Sequence, residues 1–192
     1  MISLQAEGLL AISRWLSAAT PPVHERNYQS IPEGWQHKPN KGTDMSSTFI
    51  SLHYHIVFST KHRQPMIDAV WRERLHEYLG GTVNGLKAFS QGVGGTEDHV
   101  HLLIGLKATH CLADFMRELK KSSSAWVHNE IGLANFAWQE GYGAFTVSPP
   151  ARGGVKQYIA NQAEHHRRRT FREELVDLLK QAGVEYDDKW LD

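Results

Sequence analysis

The sequence predicts an α+β domain built on one antiparallel sheet. Segments rich in β-branched and aromatic residues alternate with segments whose apolar residues recur at helical spacing. Their order is strand, helix, two strands, helix, strand, then further helices. Two of the strands, Leu86–Val93 and His99–Leu106, join across Gly94-Gly95 as a hairpin. With 41% hydrophobic and 22% charged residues, the composition is that of a globular chain rather than a disordered or collagen-like one. A length of 192 residues suits one ordinary domain with a short appendage.

Residues 1–44 stand apart. After one or two possible helical turns around Leu9–Leu16 come Thr20-Pro21-Pro22 and a polar stretch with Pro32, Gly34, Pro39 and Gly42, without a stable period. This reads as a loosely ordered extension. Met45 follows directly and offers an alternative start, which would make 1–44 a leader; residues 45–192 form the domain proper. Phe49–Ser59 is the first strand. Pro65 opens a helix with Val70, Trp71, Leu75, Tyr78 and Leu79 on one face, which Gly80-Gly81 is expected to stop. After the hairpin, a second helix spans Leu112–Ile131, with Gly132 beyond its end. Phe136–Val147 returns to strand character, interrupted by Gly141-Tyr142-Gly143. Pro149-Pro150 and Gly153-Gly154 form a flexible hinge before a third helix, Val155–Arg169. Thr170 followed by Glu173 is a capping-box signature for a fourth helix ending near Gly183. The order β-α-β-β-α-β plus C-terminal helices matches the ferredoxin-like arrangement, one antiparallel sheet with two helices on a single face.

The 21 basic and 21 acidic side chains cancel overall but not locally. Residues 45–169 carry fourteen basic against ten acidic groups, and residues 170–192 carry three against seven. A mildly basic middle is masked by an acidic tail. The single cysteine, Cys111, excludes an internal disulfide and a four-cysteine zinc site. No apolar run approaches the roughly 20 residues of a spanning helix, and the start lacks the basic region of a signal peptide. The expected location is cytoplasmic, with no membrane partner.

His99-Val100-His101 enters the third strand. Alternate residues share a face, so the two imidazoles point the same way with Cβ atoms roughly 6–7 Å apart, close enough for one metal ion. Asp98 or Glu97 could orient an imidazole through its second N–H. Among 12 histidines one such pair is expected by chance, and His53-Tyr54-His55 is a second. Composition and spacing do not choose between them. On the third helix, Tyr158 and Gln162 are four apart and share a face. Gln162 offers a neutral oxygen ligand. The Tyr158 phenol is a nucleophile toward phosphorus if a neighbour lowers its pKa from about 10; otherwise it packs beside Val155 and Ile159.

Several runs together resemble one family. They are Thr96-Glu97-Asp98-His99-Val100-His101-Leu102-Leu103, then Ala144-Phe145-Thr146-Val147-Ser148, then Tyr158-Ile159-x-Asn161-Gln162-x-x-His165-His166 with Phe171-x-x-Glu174. The opening His53-Tyr54-His55-Ile56-Val57-Phe58, with Lys61-His62-Arg63 after it, is similar to that family's first strand. The family is the single-tyrosine HUH transposases of the small insertion-sequence, IS200-like type, including the REP-associated tyrosine transposases. The likeness covers about residues 48–188 in the family's order and spacing. It implies that His99, His101 and Gln162 hold a divalent metal, Mg²⁺ or Mn²⁺, and that Tyr158 is the nucleophile on single-stranded DNA. It leaves His53 and His55 outside the motif, as strand residues that face DNA or pack.

The same likeness implies a 5′-phosphotyrosine link and a free 3′-hydroxyl. Rejoining would need no ATP, and the sequence has no Walker-type glycine loop. The implied partners are single-stranded DNA with hairpins and a second copy of the chain; no nucleotide cofactor is expected. Basic clusters suited to phosphate contacts are Lys61 and Arg63, Lys120 and Lys121, and Arg167, Arg168 and Arg169 together with His165-His166. Trp126, Trp138 and Tyr142 could stack on unpaired bases. Three other readings compete. A non-catalytic ferredoxin-like nucleic-acid-binding module would leave Tyr158 dispensable, although Val100-His101-Leu102-Leu103 stands where stacking aromatics would be wanted. A metal-dependent phosphodiesterase would use water as nucleophile. A domesticated hairpin-processing nuclease would share the tyrosine chemistry.

Overall fold

The computed structural model describes residues 49–191, so the extension expected over 1–44 lies outside the described residues. Four strands, β1 (Leu52–Ser59), β2 (Phe89–Gly95), β3 (His99–Leu106) and β4 (Gly143–Thr146), form one antiparallel sheet in the order β2-β3-β1-β4. Helices α1 (Ala69–Gly85) and α2 (Leu112–Trp126) cover one face, as the element order predicts. The C-terminal helices α3 (Arg152–Ala160), α4 (Gln162–His165) and α5 (Phe171–Gln181) belong to the other side, where Val155 and Ile159 of α3 pack with Leu103 and Val147. No helix among the described residues is long and apolar enough to cross a membrane.

The pleat divides the strands between two environments. Ile56 and Phe58 of β1 and Val100, Leu102, Ile104 and Leu106 of β3 enter the main core with Trp71, Leu75, Leu79, Val83, Phe115, Met116 and Leu119 from the helices. Residues 99, 101, 103 and 105 of β3 therefore point to the opposite face. All eight residues of β3 are buried.

Several boundaries differ from the sequence reading. Helix α1 starts at Ala69, capped by the Asp68 carboxylate on the Val70 amide at 2.8 Å, and Val70 is 90% exposed rather than on the apolar face. Gly80-Gly81 does not stop it. The stripe Trp71, Leu75, Leu79 continues to Val83, whose full burial is worth about 2 kcal/mol and offsets the cost of about 1 kcal/mol for each helical glycine. Strand β2 begins at Phe89 and ends at Gly95, so Gly94-Gly95 finishes the strand and Thr96–Asp98 makes the turn. Helix α2 runs into a wide π-type turn, Val127–Ile131, and stops at Gly132 with φ 79°, the expected terminator. Phe136–Trp138 forms only a bridge to Thr60. Phe136 and Trp138 are buried edge-on to each other at 4.8 Å, and Trp138 is equally close to Phe58, so this apolar run is a core-filling loop rather than a strand.

The hinge expected at Pro149–Gly154 is helical: a 3₁₀ turn, Pro149–Ala151, leads straight into α3. Helix α3 in turn ends at Ala160, because Asn161 (φ −102°, ψ 19°) breaks the expected Val155–Arg169 helix in two. The α5 capping box forms as read, with the Thr170 hydroxyl and the Glu173 carboxylate each satisfying the other's backbone amide.

Candidate active site

His99 and His101 are fully buried on the sheet face opposite the main core. Asp98 Oδ1 lies 2.7 Å from His99 Nδ1 and is itself held by the Thr96 hydroxyl at 3.1 Å. The carboxylate accepts from Nδ1–H, which turns the His99 Nε2 inward. Phe171 stacks on this ring at 4.3 Å and 22° and fixes its plane. His101 Nδ1 is 2.9 Å from His55 Nε2, and the two rings stack at 5.1 Å. Burial holds both His55 and His101 well below the usual imidazole pKa, so both are neutral.

Gln162 opens α4 with 1% of its surface exposed. Its Oε1 is 3.3 Å from His99 Nε2, and its Nε2 donates to Glu174 Oε1 at 3.0 Å. Glu174 comes from α5 and is 2% exposed; burial pushes its carboxyl up to about 8. Its Oε2 is 3.0 Å from His166 Nε2, 3.4 Å from His101 Nε2 and 3.8 Å from His99 Nε2. Donor atoms of His99, His101, His166 and Glu174 all lie within 4.8 Å of one another.

Tyr158, half-buried on α3, borders this cluster. Its ring is edge-on to His165 at 5.1 Å, His101 at 5.9 Å and His55 at 6.0 Å, and it lines a small cavity with His55, Val155, Arg169 and Glu174. Helix α3 reaches this position because β2 carries glycine where the two meet. A Cβ on Gly94 would overlap the carbonyl oxygen of Ile159, one residue beyond Tyr158. Gly94 pairs with His101 across the sheet, so the same contact sets the tyrosine helix against the histidine strand.

Four residues singled out by the sequence, His99, His101, Gln162 and Tyr158, thus come together within one chain. The side chains also suit a divalent cation. His101 Nε2 is buried and makes no hydrogen bond, an atom otherwise costly to leave without a partner. Imidazole, amide and carboxylate together form a donor set of the kind divalent ions accept.

The basic clusters fare differently. Lys61, Lys121, Arg167 and Arg168 are exposed and Arg63 is half-buried. Lys61–Arg63 is a tight turn with His62 (φ 54°) and Arg63 (φ 50°) both left-handed, anchored beside the start of β3 by Thr60, whose amide donates to the Asp98 carbonyl at 2.8 Å. Arg167 pairs with Glu164 at 3.0 Å and Arg169 with Asp177. Lys120 corrects the sequence reading. Its ammonium donates to the carbonyls of Gln139, Glu140 and Gly141 and lies over the Phe58 and Tyr142 rings, and burial lowers its pKa to about 8. All three donors are spent, so it clamps the loop before β4 instead of meeting phosphate. Trp138 donates its indole N–H to the buried Ser123 hydroxyl at 2.9 Å and is no base-stacking platform. His165 and His166, read with the surface arginines, turn inward.

His55, His166 and Glu174 were not singled out as site residues from sequence. The signal for Glu174 was present: it stands between Phe171 and Leu178 on the apolar side of an amphipathic helix, where a carboxylate is costly without a partner. His55 carried no comparable signal, because its role depends on the pairing of β1 with β3.

Residues 48–162 match the family profile described as "Transposase IS200 like". Among solved structures, the chain is similar to a Deinococcus radiodurans R1 protein assigned as a transposase, with 24% identity and a TM-score of 0.49 over 66% of this chain and 98% of that one. It is also similar to a REP-associated tyrosine transposase bound to a REP hairpin, with 14% identity and a TM-score of 0.48 over 65% and 74%. Comparison with curated proteins finds no match.

Proposed function

The chain belongs to the IS200-like transposase family, and from that premise we propose that it cleaves and rejoins single-stranded DNA at hairpin-associated sites, with Tyr158 as nucleophile. The observation that carries this is the convergence of Tyr158 on the buried His99, His101 and Gln162 cluster within a single chain. The Tyr158 oxygen attacks a backbone phosphorus and the bond to the 3′-oxygen breaks. The net proton passes from the phenol to that oxygen. The products are a 5′-phosphotyrosine and a free 3′-hydroxyl, and attack by a 3′-hydroxyl on the phosphotyrosine reverses the step without ATP. His99, His101 and Gln162 would hold Mg²⁺ or Mn²⁺, which, when bound, neutralises charge developing on the phosphate.

The protein's own groups prepare this. Asp98 and His55 fix the two imidazoles, and Glu174 turns the Gln162 oxygen inward. The strained Lys61–Arg63 turn, with Lys121, Arg167 and Arg168, supplies exposed positive charge for DNA phosphates, and the cytoplasm is the place of action. A single copy assembles the cluster; a homodimer would bring two such sites to the two ends being joined.

The test uses labelled single-stranded hairpins from sequence flanking the gene, with Mn²⁺, run on a denaturing gel. Label migrating with the protein, and lost in both Tyr158→Phe and His99→Ala, is expected. Cleavage that persists in Tyr158→Phe without an adduct would replace the tyrosine mechanism by attack of water. Hairpin binding without cleavage across a broad pool would leave only a binding module.

A further inference from the structure

We propose that the cation site extends beyond His99, His101 and Gln162 to Glu174, whose Oε2 binds the ion directly while its Oε1 holds the Gln162 amide in register. This deepens the proposed function and rests on it for the presence of a cation.

The case begins with where the protons are. His99 Nδ1 is committed to Asp98 at 2.7 Å. His166 Nδ1 is committed to the Arg169 carbonyl at 2.9 Å, an oxygen that can only accept. With Nδ1 committed in this way, Nε2 is the ring atom each imidazole has left for a ligand. Both of these Nε2 atoms, and the unbonded Nε2 of His101, are directed at the same carboxylate oxygen, Glu174 Oε2, at 3.8, 3.0 and 3.4 Å. A single proton on Glu174 can satisfy only one of these nitrogens, His166 at 3.0 Å; the other two still face an oxygen that offers them nothing unless a cation lies among them.

The spacing fits that charge. Donors bound at about 2.0–2.2 Å to one small divalent ion sit about 3 Å apart in adjacent positions and about 4 Å apart in opposite ones. The separations from Glu174 Oε2, and the 3.3 Å between His99 Nε2 and Gln162 Oε1, fall in that interval. Glu174 Oε1 is meanwhile occupied by the Gln162 N–H at 3.0 Å, which fixes the amide with its oxygen toward His99. One carboxylate therefore serves two ends. Its charge also shifts a site of neutral donors toward the oxygen chemistry that Mg²⁺ and Mn²⁺ prefer.

The experiment is Mn²⁺ titration of the metal-free full chain, without DNA, by calorimetry and by loss of the free-ion electron paramagnetic resonance signal. Glu174→Gln keeps the shape and an acceptor for Gln162 but removes the charge. It is expected to weaken Mn²⁺ by about 100-fold, with the far-ultraviolet circular dichroism unchanged. The deciding comparison repeats it in a Gln162→Ala background. A direct ligand still costs at least about tenfold there, whereas a carboxylate acting only through Gln162 costs nothing more and the proposal falls. If Glu174→Gln does not fold, Glu174→Asp, which keeps the charge and withdraws the oxygen, is expected to show the same loss. Wild-type binding abolished by His99→Ala but held within about threefold by Glu174→Gln overturns this inference and leaves the proposed function standing. No Mn²⁺ binding by the wild type overturns both.

Discussion

On the face of the sheet covered by α1 and α2, β1 and β3 bury Ile56, Phe58, Val100, Leu102, Ile104 and Leu106; on the opposite face the same strands bury His55, His99 and His101. The first face gains free energy from every side chain it removes from water. The second gains in the same way from Leu103, Val147, Val155 and Ile159, but its imidazoles and carboxylate lose hydration and receive only part of it back. A chain that needed only to fold would have no use for those buried polar groups. The two-residue period of the strands keeps the expensive groups off the stabilising core.

The largest effect that separates the faces is Leu102→Ala. Truncating this fully buried side chain should cost about 2–5 kcal/mol in denaturant unfolding while leaving Mn²⁺ affinity unchanged in the folded fraction. A large loss of metal affinity would mean that the faces are coupled more tightly than their packing indicates. Next is Gly94→Ala. Its Cβ would displace α3 at Ile159, with an overpacking cost of about 1–3 kcal/mol. Adduct formation by Tyr158 should drop by much more than stability suggests, with the α1 and α2 face intact by hydrogen exchange. Retained adduct yield would show that the tyrosine helix needs no such seat.

The smallest effect is on pH dependence of the metal-free protein. Burial holds His55 and His101 well below 6.5 and His166 down to about 4. Their share of stability is complete above about 6.5 and is lost as pH falls toward the folded values, since the unfolded chain takes up protons first. Glu174 has the opposite sign. Its folded pKa of about 8 stands above the ordinary 4.5, so its share is complete at low pH and is lost as pH rises through 8. Between 4.5 and 6.5 three imidazoles outweigh one carboxyl; from 6.5 to 8 Glu174 acts without them. The melting temperature in EDTA should therefore peak near pH 6.5, and Glu174→Gln should flatten the limb from 6.5 to 8. A variant curve parallel to wild type over that limb would remove Glu174 as its cause.

Local signals were read from sequence where local chemistry decides the outcome. The run His99–Leu106 is β3 to the residue, the Thr170–Glu173 capping box starts α5, and Gly132 ends the α2 segment. The sequence reading went astray where a distant partner decides. Gly80-Gly81 stays helical because Val83 has a core to enter. Phe136 and Trp138 leave strand pairing for the core beside Phe58. The site followed the same division. The His-x-His pair and the Tyr158–Gln162 spacing are visible along the chain, although Asn161 divides the helix that was to carry that spacing. Glu174, His166 and His55 matter through contacts reaching 73, 67 and 46 residues along the chain, to His101 or His99. No window of helix or strand period spans such distances.

The complete burial of β3 carries a consequence for sequence variation. All eight of its positions are buried, the even ones in the apolar layer and 99, 101 and 103 against the histidine cluster and α3, so neither parity is free to drift. Strand β4, at the sheet edge and without a buried residue, carries no such double constraint. Among descendants diverging under selection for the same activity, the window 99–106 should be the slowest to change in the described chain. Laboratory drift that relaxes activity but keeps folding should free positions 99 and 101 first and leave Leu103 and the even positions apolar.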